Sequence, residues 1–162
     1  MFKTLIASAL TATLLATAAP VYAVTTVKDV VVSADAAAIK DAKAAMYWSN
    51  LSGDLKDAIL SRVSDRIADD GVKITVEIDS AELANTLQQV AGTAQAKLVG
   101  GVAITSDTNN TKFDGYTLTI TFDQAGAFFP AGTDLTTITT DSKEYYDAMV
   151  AAFADGVVRS LK

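Results

Sequence analysis

The chain has 162 residues, a formal net charge of −6, half of its residues hydrophobic, and neither histidine nor cysteine. A Ser-His-Asp triad, a Cys-His pair, zinc sites built on either residue, and disulfides are therefore all excluded within it. The acidic balance, with no run of Lys or Arg, argues against a basic phosphate-binding face, so nucleic acid is not an expected partner.

The first element is a leader. Lys3 precedes an apolar, small-residue run from Leu5 to Ala19, Pro20 ends it, and Val21-Tyr22-Ala23 offers small residues at a cleavage position. That order marks residues 1–23 as a secretory signal peptide and residues 24–162 as a single exported domain, periplasmic or extracellular. The run is shorter and less apolar than a membrane span of ~20 residues, so no membrane attachment is expected after cleavage. No cysteine follows it, which leaves no acceptor for a bacterial lipoprotein anchor.

Residues 24–33, VTTVKDVVVS, are rich in β-branched side chains and read as a strand. Val30-Val31-Val32 is apolar on both faces, which suits an interior strand. Residues 36–70 read as helical, from alanine-rich composition and from Leu55, Ile59, Val63 and Ile67 at four-residue spacing. Ser52-Gly53 is the expected interruption and Gly71 the expected left-handed cap. Asp65, Asp69 and Asp70 crowd the far end of this helix, where Arg62 and Arg66 stand at ion-pairing spacing.

Residues 72–79 alternate Val72, Ile74, Val76 and Ile78 with polar residues, a half-buried strand. Ser80 is expected to cap a short helix that turns Leu83, Leu87 and Val90 inward. Residues 98–105, LVGGVAIT, form the next strand, with Gly100-Gly101 marking a bulge or a close approach. Residues 116–123 alternate again, and a last helix follows. Asp141 and Glu144 would cap that helix, and Tyr146, Met149, Val150, Phe153, Val157 and Leu161 would form its buried face. The order β-α-β-(α)-β-β-α, with threonine-rich polar faces on the alternating strands, predicts an α/β (α+β) two-layer sandwich. Its mixed four-stranded sheet carries helices on one face, with the first two strands parallel and the last two a hairpin.

Few residues offer chemistry. In SDTNNTKFDG, Asp107, Asn109, Thr111 and Asp114 supply oxygens for a hard cation such as Ca²⁺. Lys112 occupies the place where a helix-loop-helix calcium loop needs glycine, and Leu118 the place where it needs an acid, so a hairpin turn is the plainer reading. Tyr47 and Trp48 beside a helix break could line a partner groove or anchor the core. Phe128 and Phe129 are adjacent in a loop, where one could plug the sheet while the other stays exposed for a partner. Glu77, Asp79 and Glu82 are candidate paired carboxylates for a hydrolase, although neighbouring acids on a solvated sheet face are commoner.

The sequence therefore points to an exported, non-catalytic binding protein of the cell envelope, with a macromolecular partner and no cofactor. A small-ligand or Ca²⁺-binding domain is the alternative, and a carboxylate-dependent hydrolase the third reading.

Overall fold

The structure, a computed structural model, describes residues 24–34, 46–83, 96–108 and 113–161. It holds a four-stranded mixed sheet in the order β1-β2-β3-β4, formed by β1 (Val27–Ala34), β2 (Val72–Glu82), β3 (Lys97–Thr105) and β4 (Asp114–Thr121). β1 runs parallel to β2, while β2–β3 and β3–β4 are antiparallel. Helix α1 (Leu51–Arg62), the short α2 (Phe122–Ala125) and α3 (Lys143–Arg159) complete the described elements. α1 packs on β1 and α3 on β4 and β3, all against one face of the sheet. This is the expected two-layer α+β sandwich.

Alternation explains the layering. Val72, Ile74, Val76 and Ile78 of β2 face Leu98, Val102 and Ile104 of β3, and all are buried under the helices. Fully buried Leu55 and Ile59 of α1 and Met149, Phe153 and Val157 of α3 fill the space above them. The opposite face carries Lys73, Thr75 and Glu77 of β2 and Thr117 and Thr119 of β4, open to solvent or nearly so.

Several local expectations are corrected. β1 lies at the sheet edge rather than inside it, and Val31, on the open face, is 37% exposed. Its valine run reflects strand propensity, not burial on both sides. The helix break falls at Ser49-Asn50, after helical residues 46–48, and Gly53 lies inside α1. The helix stops at Arg62, and Ile67, 50% exposed, bridges to Val27 instead of continuing the apolar face. Arg62 serves the helix layer rather than the nearby aspartates, donating from Nη1 to the Ala58 carbonyl (2.8 Å) and from Nη2 to the Ala151 carbonyl of α3 (3.2 Å).

Gly71 is not a left-handed cap, since its φ is not positive. It is there because β1 crosses it closely: a Cβ would sit 2.5 Å from the Val27 carbonyl carbon. Ser80 caps no helix, because β2 continues through Glu82 after a register shift between Ile78 and Ser80. Opposite that irregularity stands Gly100, whose Cβ would lie 2.8 Å from the Glu77 carbonyl oxygen and 3.2 Å from the Phe153 ring. Leu87 and Val90 lie outside the described residues. The last strand ends at Thr121, two residues early, in a capping box with Gln124 that starts α2. The cap of α3 is Ser142, whose hydroxyl accepts from the Tyr145 N–H (3.1 Å), and not Asp141.

Candidate functional site

The first turns of α3 form one wall of a cavity that α1 closes on the other side. Tyr145 and Tyr146 are consecutive, so on a helix they point about 100° apart. Tyr146 turns towards α1 and the residues before it. Its ring meets Trp48 edge-on at 5.2 Å between centroids and lies nearly parallel to Tyr47 at 6.3 Å. Its hydroxyl donates to Asp54 Oδ2 at 2.6 Å.

These groups border a cleft of about 510 Å³ between α1 and α3. Met46, Tyr47 and Asn50 form one rim, Asp54, Asp57 and Arg62 the α1 wall, and Lys143, Tyr146 and Asp147 the α3 wall. Met46 is 71% exposed, an unusual position for a large thioether side chain.

Three carboxylates and two cations line the cleft. Both cations are engaged: Arg62 with the two carbonyls, and Lys143 with Asp147 at 2.5 Å. That hydrogen bond to Asp147 also raises the Lys143 pKa. Asp57 has no partner among the described residues, and Asp54 receives only the Tyr146 hydroxyl in a direct bond. The cleft thus presents unneutralised negative charge beside aromatic rings, an arrangement that favours a cationic side chain on an apolar stem.

Burial, reinforced by the hydrogen bond to Asp54 and the charges of Asp54 and Asp147, pushes the Tyr146 pKa far above its ordinary value. At neutral pH that phenol keeps its proton and is neither a base nor a nucleophile.

The sequence candidates separate in space. Tyr47 stands on the cleft rim, half-buried, while Trp48 is 2% exposed and backs the cleft as core. Phe128 and Phe129 lie on the other flank of α3, and both are half-buried against the core rather than divided into one plug and one exposed ring. Phe129 meets Phe122 at 5.7 Å, and Phe122 stacks on Tyr145 at 5.9 Å.

Asn109 and Thr111 lie outside the described residues. Asp107 accepts from Lys28 Nζ at 3.0 Å, and Asp114 accepts from the Gly115 N–H at 2.9 Å. Among the described residues no group of three acidic side chains could hold a metal ion. Glu77 and Asp79 are exposed on β2, and Glu82 pairs with Lys97 at 3.3 Å.

Sequence reasoning found Tyr47 but missed Met46, Asp54, Asp57 and Lys143. Asp54 and Asp57 sit three apart on the polar side of α1, a spacing the sequence does show. Nothing local says that α3 closes over them.

No family model matches the chain, and no curated protein matches it. One solved structure that it resembles is described as a "putative lipoprotein from Caulobacter crescentus CB15". The two are 12% identical, the match covers 80% of this chain and 88% of that one, and the TM-score is 0.29. A likeness at that level carries no argument about function.

Proposed function

We propose that the protein is exported to the cell envelope and works there by binding another macromolecule through the α1–α3 cleft, without catalysis. The observation that carries this reading is the cleft itself. It has an exposed Met46 and a half-exposed tyrosine ring at the rim, and acids on α1 whose neighbouring cations are already engaged. A partner segment offering Lys or Arg next to an apolar residue fits that combination. The absence of His and Cys and the firmly protonated Tyr146 support a binding role over a catalytic one.

The test places a photoreactive amino acid at position 46, with position 75 on the open sheet face as control, in cells that make the protein. A discrete adduct is expected from position 46 only, and Asp57→Lys should abolish it. Equal adducts from both positions, or none, would refute the cleft as the binding surface. Export is checked separately: the protein recovered from the envelope should begin at Val24, and a cytosolic chain retaining Met1 would refute it.

A further inference from the structure

The two edges of the sheet differ. β1 carries a register irregularity between Val27 and Asp29, and Lys28 there is held by Asp107 at 3.0 Å, so charge and a bulge blunt that edge. β4 has no such irregularity, and its one charge, Asp114, stands at its first residue. Its register against β3 is unbroken from Asp114 to Thr121, and residues 115–121 include no charge and no proline.

Which backbone groups β4 leaves open follows from alternation. The Phe122 N–H donates to the Ala96 carbonyl on the β3 side (3.2 Å), so the even-numbered residues of β4 face β3. Gly115, Thr117, Thr119 and Thr121 then turn their N–H and C=O groups outward. The N–H groups of the two outer residues are capped by their own surroundings: Asp114 Oδ1 accepts from the Gly115 N–H at 2.9 Å, and Gln124 Oε1 from the Thr121 N–H at 2.8 Å. Among the described residues no hydrogen bond reaches the outward groups of Thr117 or Thr119, and both residues are exposed.

The open and closed positions are symmetric about Leu118. We propose that the protein pairs with a second copy of itself through β4, the two strands antiparallel across a two-fold axis at Leu118. In that register each Thr117 meets the partner's Thr119, and the four open N–H groups find the carbonyls of Thr117 and Thr119. The capped ends fall opposite one another, and threonines meet threonines on the open face, a favourable cross-strand pair. On the helix side, half-buried Leu118 meets the partner's Leu118, and half-buried Tyr116 lies opposite the partner's Ile120. No charge within residues 115–121 opposes a like charge, which is what an acidic chain needs in order to pair with itself. This inference is independent of the cleft.

The test is sedimentation equilibrium of the purified protein up to about 1 mM, the range of weak association, together with amide hydrogen exchange. A dimer is expected that tightens as salt rises from about 0.01 to about 0.15 M, because the Debye length shrinks from about 30 Å to about 8 Å and screens the repulsion between acidic copies. The Thr117 and Thr119 amides should become protected as concentration rises. Thr119→Pro removes an outward N–H and leaves the β3 ladder intact, and should weaken pairing at least tenfold with circular dichroism unchanged. If that variant misfolds, the concentration-dependent protection in the native protein still decides. A monomer at every concentration, a dimer with those two amides unprotected, or a dimer indifferent to Thr119→Pro would each overturn the proposal.

Discussion

The two flanks of the first turn of α3 are built from the same kind of residue and end in opposite conditions. On one flank Tyr145 stacks on Phe122, which leans on Phe129, and the site is closed; the Tyr145 hydroxyl is buried without a hydrogen-bond partner. On the other, Tyr146 packs on Trp48 and Tyr47 and gives its hydroxyl to Asp54 at the edge of an open cleft. Aromatic packing is common to both. What separates them is the neighbouring element: the short α2, which turns Phe122 inward, on one side, and α1 with its aspartates on the other.

The largest expected contrast is in truncation. Trp48→Ala removes a fully enclosed ring and should cost about 3–5 kcal/mol in denaturant unfolding, whereas Phe129→Ala, half-buried, should cost roughly half as much. Equal losses would show the closed flank to be as deeply built as the open one.

Alkali should then break both flanks together. Burial raises the pKa of Tyr145 and of Tyr146, the latter helped by Asp54. In the unfolded chain both ionise near 10. The neutral form is the one that the fold favours, so the stability it confers is complete below about pH 10. Above that pH the stability falls by up to about 1.4 kcal/mol per pH unit for each group. Phenolate absorbance from these two residues should appear only together with loss of circular dichroism, and earlier ionisation would mean that water reaches them in the folded state.

Smaller effects sharpen the contrast by sign. Tyr146→Phe takes a hydrogen bond from exposed Asp54 and should cost about 1 kcal/mol. Tyr145→Phe removes a hydroxyl that is buried unpaired, and should be neutral or stabilise by up to about 1 kcal/mol. Opposite signs for two adjacent Tyr→Phe changes would be the clearest evidence that the flanks differ.

The sheet and the buried face of α3 were legible in the sequence because period two and period 3.6 are local signals. Val72 to Ile78 alternates without a fault, and Tyr146, Met149, Val150, Phe153 and Val157 are all buried as spaced. Errors arose where a local signal had a tertiary cause. Gly71 looks like a helix cap but makes room for Val27, and Ser80 looks like an N-cap but sits in a strand whose register slips opposite Gly100. The Thr121-Gln124 capping box was present in the letters and was masked by the alternation running into it. The cleft was only half legible: Tyr47 announced itself, while Asp54 and Tyr146 are 92 positions apart and meet only because α1 and α3 share one face.

In this sheet, order in space is order along the chain. Each strand joins the one made just before it, so none has to be threaded between two already paired. The connections are unequal, though: about eight residues separate β3 from β4, while β1 reaches β2 across the whole α1 crossover. Each doubling of a connecting loop costs about 0.6 kcal/mol of closure entropy. Assembly is therefore biased to start at the β3–β4 hairpin and to finish when β1 is laid against β2.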